Sequence, residues 1–571
     1  MNFLRDKIIH PILQRPPIGL AVIILFTAFI YSNILDNSFI MDDYGLAMNW
    51  PAIESLNNLP QFFGSESQPQ GDRGVYLPLK ILFHAIYYHF WGLTTFGYHI
   101  SAITLHLLIT VIMYMLALHL TRNTTLAFFS ALFFGIHPVH SEAVTFMTVS
   151  VDLVGILFLA VSFWLYIRAQ EGAVFKKWLY VASVIYGALA VLSYELATCL
   201  PVLILGYQLW RDKKDGESRS GRSSVRLAVP YFILVGLYVV MKWLVVGTVA
   251  GGEYLKGSLY LTMLVTIKAF AKYILILFWP ATLSINHIIS KGIFSFDPAD
   301  FDQQAVLFQS FFDPQVLLSL ALIAAVIYSA FRLFKKQPVI TFCVGWFFVN
   351  LLPVSNIVPS SVFFAERYLY LASFGFCLIL AHAVSYVYHL GDRVSGKKFF
   401  FALGAALTVV LISFYSWRTV TRNLDWRNDF SFYLSGARTN PESARMQSNL
   451  GLIYIQYGLN DNALDIFKRA AKLNPDDANI YFMMAEAYTG QGKHFDAIAA
   501  LKKAVEVNPD FPEAYFNMAI ANEVLGYSKE AEELLNTSLE LYRKQGRNDE
   551  AEDIKTAFYD YVDQVRTVEP E

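Results

Sequence analysis

Asp42 and Asp43 stand side by side in the run Ile40-Met41-Asp42-Asp43-Tyr44. Adjacent carboxylates repel unless a cation or a proton donor relieves them, so the pair suits a general base acting on a hydroxyl. A helix cap is the plainer reading of either one. His137-Pro138-Val139-His140-Ser141-Glu142 places two imidazoles three residues apart with a carboxylate close behind. Two histidines without a firm third ligand make a weak metal set, and packing or hydrogen bonding would also account for them. Glu142 and Asp152 could serve at helix ends. Glu195 is flanked by Tyr194 and Leu196, where a passive surface role is hard to argue. Glu366-Arg367 sits in an apolar stretch, and a guanidinium there suits bidentate phosphate binding. The alternative for Arg367 is an ion pair with Glu366 or another acid.

The elements that must hold these residues are apolar. The chain has 571 residues, 55% hydrophobic and 16% charged, against roughly 25% charged in globular domains. Net charge is -2, which suggests no nucleic-acid partner. Cys199, Cys343 and Cys377 all lie in apolar runs, so a disulfide framework is not expected. Eleven spans are expected, near 18–35, 99–119, 126–145, 151–168, 177–194, 196–210, 227–247, 315–334, 338–356, 368–388 and 399–417. The first follows Pro16-Pro17 without a small-residue cleavage site, and is expected to be a retained span.

Basic residues set the orientation. Arg5, Lys7 and Arg15 precede the first span; Arg168, Lys176 and Lys177 follow the fourth. Arg211, Lys213, Lys214, Arg219, Arg222 and Arg226 fill the next such loop, and Arg332, Lys335, Lys336, Arg393, Lys397 and Lys398 later ones. These loops should be cytoplasmic, with the acidic and histidine candidates at the outer face. Residues 259–280 carry Lys268 and Lys272 on one helix face. Counting them as a span would invert every later loop, so an interfacial or re-entrant outer helix is expected.

The C-terminal part is periodic. Asn440-Pro441, Asn474-Pro475 and Asn508-Pro509 recur every 34 residues. Gly451, Ala485 and Ala519 keep that register, as do Ala463, Ala497 and Ala531 and also Phe467, Leu501 and Leu535. This is the tetratricopeptide pattern: small residues let antiparallel helices approach, and each proline ends a helix. About three repeats are expected, then a capping helix within about 535–565 and a polar tail. The expected fold is therefore all-α: a polytopic membrane domain over 1–418 and an extracytoplasmic repeat solenoid over 419–571, with a concave face suited to a peptide or protein.

Several strings resemble the transmembrane and tetratricopeptide-repeat O-mannosyltransferases, of the wider GT-C glycosyltransferase class. They are Met41-Asp42-Asp43, Phe96-Gly97-Tyr98-His99, Gly135 to Val144, Val151-Asp152-Leu153 and Ala365-Glu366-Arg367-Tyr368-Leu369-Tyr370-Leu371. The resemblance implies a membrane enzyme that moves a sugar, mannose by analogy with the family, from a polyprenyl-phosphate donor to Ser or Thr hydroxyls of a protein acceptor. It implies a base at Asp42 or Asp43. Arg367 would stabilise the leaving phosphate, and the repeats would present the acceptor. A divalent cation could bridge carboxylate and phosphate, though nothing in the sequence requires one. The short repeat array suggests a prokaryotic plasma-membrane relative; a eukaryotic one would face the endoplasmic reticulum lumen. A non-catalytic repeat scaffold and an enzyme glycosylating a lipid or glycan stay open.

Overall fold

The computed structural model describes residues 15–47, 51–64, 75–171, 174–215, 221–284, 310–360, 362–390 and 397–568. Arg5, Lys7, Arg219 and Arg393 lie outside the described residues, as do the side chains of Arg222 and Lys397. Among the described residues every regular element is helical. Contacts divide the chain into a unit ending at Asn428 and a unit starting at Asp429. The apolar pattern fades near 417, but the last helix of the first unit continues to Asp425.

The first unit contains α1 (Pro16–Tyr31), α2 (Asp42–Ala47), α3 (Pro78–Trp91), α4 (Thr95–Thr121), α5 (Thr124–Gly135), α6 (Ser141–Thr145), α7 (Met147–Ser150) and α8 (Asp152–Ala169). It continues with α9 (Lys177–Ser193), α10 (Leu200–Asp215), α11 (Gly221–Val246), α12 (Leu259–Phe278), α13 (Pro314–Leu333), α14 (Pro338–Asn350), α15 (Leu369–Leu390) and α16 (Lys397–Asp425). Prolines open α1, α3, α13 and α14, where a missing N–H costs nothing. Asn123 and Ser258 cap α5 and α12 through their side-chain oxygens. Large apolar side chains such as Leu25, Phe29 and Phe331 stay over 70% exposed, which suits lipid and not water. Among the described residues eight helices are long and apolar enough to cross a membrane. The protein is an integral multi-pass membrane protein.

The expected spans need correction in detail. Segments 126–145, 177–194 and 338–356 form shorter apolar helices, ending at Gly135, Ser193 and Asn350. α5 has 12 residues, about 18 Å, short of a hydrocarbon core of about 30 Å. It stops because His137 is extended before Pro138, as a residue before proline prefers to be. The span expected at 196–210 begins at Leu200, after a 3-10 turn at Glu195–Cys199.

Two ends of this unit are distinct. At one, Trp210 Nε1 donates to Pro338 O at 2.7 Å, Lys213 lies over the Phe334 ring, and Glu171 pairs with Arg168 and His119. The basic loops thus share this end. At the other, Asn37 Nδ2 donates to Trp426 O, Ser38 N to Arg427 O, and Thr145 Oγ1 to Asn423 Oδ1. The eleven expected passages correspond to seven of the eight long helices, the three shorter apolar ones and α10.

The eighth long helix, α12, behaves differently. Thr266 accepts from Asn356 Nδ2, and Tyr273 Oη accepts from Ala365 N, so the helix lies along the loop joining α14 to α15. Its flanks meet the same loop: Tyr254 Oη donates to Ile357 O, and Ser284 N to Glu366 Oε1 at 2.6 Å. These partners fit a segment that enters and returns at one end. The interfacial version of the expectation is corrected, because Lys268 and Lys272 are 2% and 4% exposed and form no polar surface.

The second unit is a solenoid of α17 (Asp429–Thr439), α18 (Ala444–Gln456), α19 (Asn460–Leu473), α20 (Ala478–Thr489), α21 (His494–Val507), α22 (Pro512–Val524), α23 (Ser528–Lys544) and α24 (Asn548–Val568). Ala463, Ala497 and Ala531 are fully buried, and a Cβ on Gly451 would meet the Phe467 ring at 2.4 Å. Gly458, Gly492 and Gly526, also 34 residues apart, take φ of +69°, +72° and +83° in the turn between paired helices. The capping helix is α24, which starts at Asn548 and buries Ala551, Phe558 and Val562. Position 535 belongs to the third repeat.

Candidate active site

Between α5 and α8 the chain makes a short platform, α6 and α7, hinged at the extended residue Phe146. Its two halves hold different functional groups. In α6, Glu142 Oε2 accepts from the backbone N of Arg367 at 3.0 Å, and Glu142 Oε1 pairs with Arg367 Nη1. In α7, Thr148 donates to Asp43 Oδ1 twice, from its N at 2.8 Å and its Oγ1 at 2.6 Å. Six residues separate Glu142 from Thr148, so the two anchors lie within about 20 Å of each other. The sequence placed Arg367 beside Glu366; the structure gives its charge to Glu142.

The acidic pair is split by environment. Asp43 is 2% exposed, and its Oδ2 also accepts from Ile40 N at 3.1 Å. Burial pushes its carboxyl up to about 6, against the pull of the three donors, with Asp42 adding a smaller upward push. Asp42 is exposed. Met41, just before it, sits at φ +46°, a left-handed conformation that costs a non-glycine residue and persists where surroundings enforce it. Asp43 thus ties down the strained loop, and Asp42 is the exposed carboxylate of the pair.

Arg367 is about a quarter exposed, with its guanidinium over the Tyr368 ring at 5.3 Å. A guanidinium carries five N–H donors, and the Glu142 contact engages Nη1, so an anion can approach the rest. Asp152 Oδ1 pairs with Lys80 Nζ at 2.7 Å and lies within electrostatic reach of Arg367. Glu195 Oε1 accepts from the buried Lys242 Nζ at 2.5 Å, with its own side chain 40% exposed. Lys80, Lys242 and Thr148 carry no sequence signal of their own; each stands in an apolar or amphipathic helix.

The remaining candidates lie deeper. Glu366 is fully buried and pairs with Arg422 at 3.1 Å; Arg422 in turn bonds Asp425. Glu366 therefore ties the turn before α15 to the end of α16, and Arg422 stays within electrostatic reach of Glu142. His137 Nε2 donates to Leu277 O and its Nδ1 accepts from Val139 N. His140 Nε2 bonds Ser373 Oγ, and His106 bridges Tyr370 and Gly135 O. These histidines are buried and hydrogen-bonded within the core. Among the described residues no group of three or more His, Cys, Asp or Glu could hold a metal ion.

Three family models match the second unit: a tetratricopeptide repeat over 444–477, another over 466–499, and a TPR repeat over 485–526. A protein O-mannosyl-transferase of Caenorhabditis elegans is 24% identical over 78% of this chain and 61% of its own length. Protein O-mannosyl-transferase Tmtc3 of Drosophila melanogaster is 25% identical over 76% of this chain and 52% of its own. Protein O-mannosyl-transferase TMTC4 of Homo sapiens is 24% identical over 79% and 65%. The chain thus spans between about half and two thirds of the length of these curated relatives. Among solved structures, the crystal structure of MamA is 20% identical over 29% of this chain and 90% of that one, with a TM-score of 0.20. Over about three quarters of its length the chain is thus similar, at 24–25% identity, to protein O-mannosyl-transferases, and it carries tetratricopeptide repeats.

Proposed function

We propose that the protein transfers a sugar, mannose by its relatives' names, from a polyprenyl-phosphate donor to Ser or Thr hydroxyls of a protein. The observation that supports this most is the platform at 141–150, which anchors the acidic loop through Thr148 and the guanidinium through Glu142. Asp42 accepts the hydroxyl proton as the oxygen attacks the anomeric carbon. The bond from that carbon to the phosphate oxygen breaks, with oxocarbenium character at the sugar. Arg367 stabilises the charge growing on the departing polyprenyl phosphate. Asp43 holds the loop in place. The repeats hold an extended acceptor segment on the extracytoplasmic side.

The test is transfer of labelled mannose from synthetic polyprenyl-phosphate-mannose to Ser/Thr-rich peptides by the purified protein. Label on peptide that Asp42→Asn abolishes supports the reading. Label with another lipid-linked sugar keeps the mechanism and changes the donor. Transfer to lipid or glycan alone changes the acceptor. No transfer with any donor or acceptor returns the molecule to a repeat-bearing scaffold.

A further inference from the structure

Helix α3 takes no part in the chemistry above, yet it buries a histidine beside the acidic loop. His84 is 6% exposed, and its Nε2 has no hydrogen-bond partner among the described residues. It lines a crevice with Phe39, Asp43, Tyr98, Met147 and Thr148. The crevice has room for about one water molecule. Burial, helped by Lys80 one turn earlier, pushes the His84 imidazole down to about 3, so it is neutral at any working pH. A neutral imidazole with its hydrogen on Nε2 is a donor, and Asp43 is the carboxylate among these lining residues. A buried polar atom left unpaired is costly, and a crevice of this size where His84, Asp43 and Thr148 supply polar atoms is where a protein retains an ordered water.

We propose that His84 is a positioning residue for the acidic loop: its Nε2–H donates to a buried water, and that water donates to the Asp43 carboxylate. Helix α3 then clamps the site twice, by this bridge and by the Lys80–Asp152 pair one turn away. The bridge favours the charged form of Asp43 and so keeps the loop carrying Asp42 in its strained shape. The other titratable groups about Asp43 and the crevice are Asp42 on α2, Lys80 beside His84 and Tyr87 and Tyr88 beside Tyr98 on α3, and Tyr98 on α4. The link to catalysis rests on the transferase reading; the bridge itself does not.

The experiment follows thermal unfolding of the full-length protein in nanodiscs across pH, for wild type, His84→Phe, His84→Gln and Asp43→Asn. Wild type is expected to show an inflection from Asp43, which Asp43→Asn should remove. His84→Phe is expected to move the inflection up by about one pH unit, because a donor to the charged form is lost. His84→Gln, with an amide donor near the same place, is expected to bring it back. A folded His84→Phe with an unmoved inflection overturns the proposal. Should that variant not fold, a wild-type cryo-EM map resolving waters decides: density between His84 and Asp43 supports the bridge, and its absence overturns it. An inflection that moves as expected in a protein without transfer to any acceptor leaves the bridge standing and removes the transferase reading.

Discussion

Asp43 is ionised at neutral pH against the cost of its own burial, and that cost has a measurable sign. Its carboxyl rises from an ordinary 3.8 to about 6 on folding, so the folded state binds more protons between those values. The stabilising contribution is complete below about pH 4 and is lost as pH rises through about 6. A shift of this size corresponds to about 3 kcal/mol. Measured against Asp43→Asn, wild-type stability is therefore expected to fall by that order between pH 4 and pH 7, read as ΔTm. Activity should run the other way, failing on the acid side of about pH 6, where protonation loosens the Thr148 and Ile40 bonds. Asp42→Asn should keep the fold and lose at least about 100-fold in transfer, the usual worth of a general base. Arg367→Lys keeps the charge but not the planar fork, and should cost roughly 100-fold with the Glu142 pair weakened. Asp42, Asp43 and Arg367 were legible in the sequence because charge in an apolar chain stands out. Their partners were not: Glu142 and Arg367 lie 225 residues apart, and a threonine at 148 carries no mark of its role.

At the scale of elements, legibility followed whether a signal was local. The 34-residue register fixed the repeats because each small residue answers one helix contact, as Ala463, Ala497 and Ala531 show by complete burial. Ala497→Leu should therefore destabilise the repeat unit by about 1–3 kcal/mol through overpacking, visible as an earlier unfolding transition by circular dichroism. Hydropathy, by contrast, averages over windows and merged α5 with the platform into one apolar run at 126–145. The break depends on Pro138, and the use made of it depends on Asp43 and Arg367 arriving from elsewhere. Thr148→Val tests the platform directly. It keeps the shape and removes one donor to a buried carboxylate, at a cost of about 1.5–3 kcal/mol. The acid limb of transfer should move to higher pH in that variant, with the donor KM little changed because Glu142 still holds Arg367.

For the whole molecule the deciding quantity is parity. The eleven expected passages are an odd number, which puts residue 15 and Asn428 at opposite ends of the first unit, in line with the bonds of Asn33 to Val420 and of Asn37 to Trp426. The prediction depends on α12 returning to the end it left, which Ser284 and Tyr254 argue through their bonds to Glu366 and Ile357. Were α12 a full crossing, the basic loop after α13 would lie on the same side as the acidic candidates, against the preference of lysines for the cytoplasm. The native cysteines are all buried, so single introduced cysteines report cleanly. Val358, in the loop along α12, is 49% exposed, and Lys336 is exposed at the basic end. A membrane-impermeant maleimide applied to intact cells should label Val358→Cys and spare Lys336→Cys until the membrane is opened. Lys503→Cys, on the repeat unit, should label with Val358→Cys, since an odd number of passages would deliver the repeats to the face that carries the acidic loop. Labelling of Lys336→Cys and Lys503→Cys together, with Val358→Cys protected, would require an even count and would remove acceptor presentation by the repeats from the mechanism.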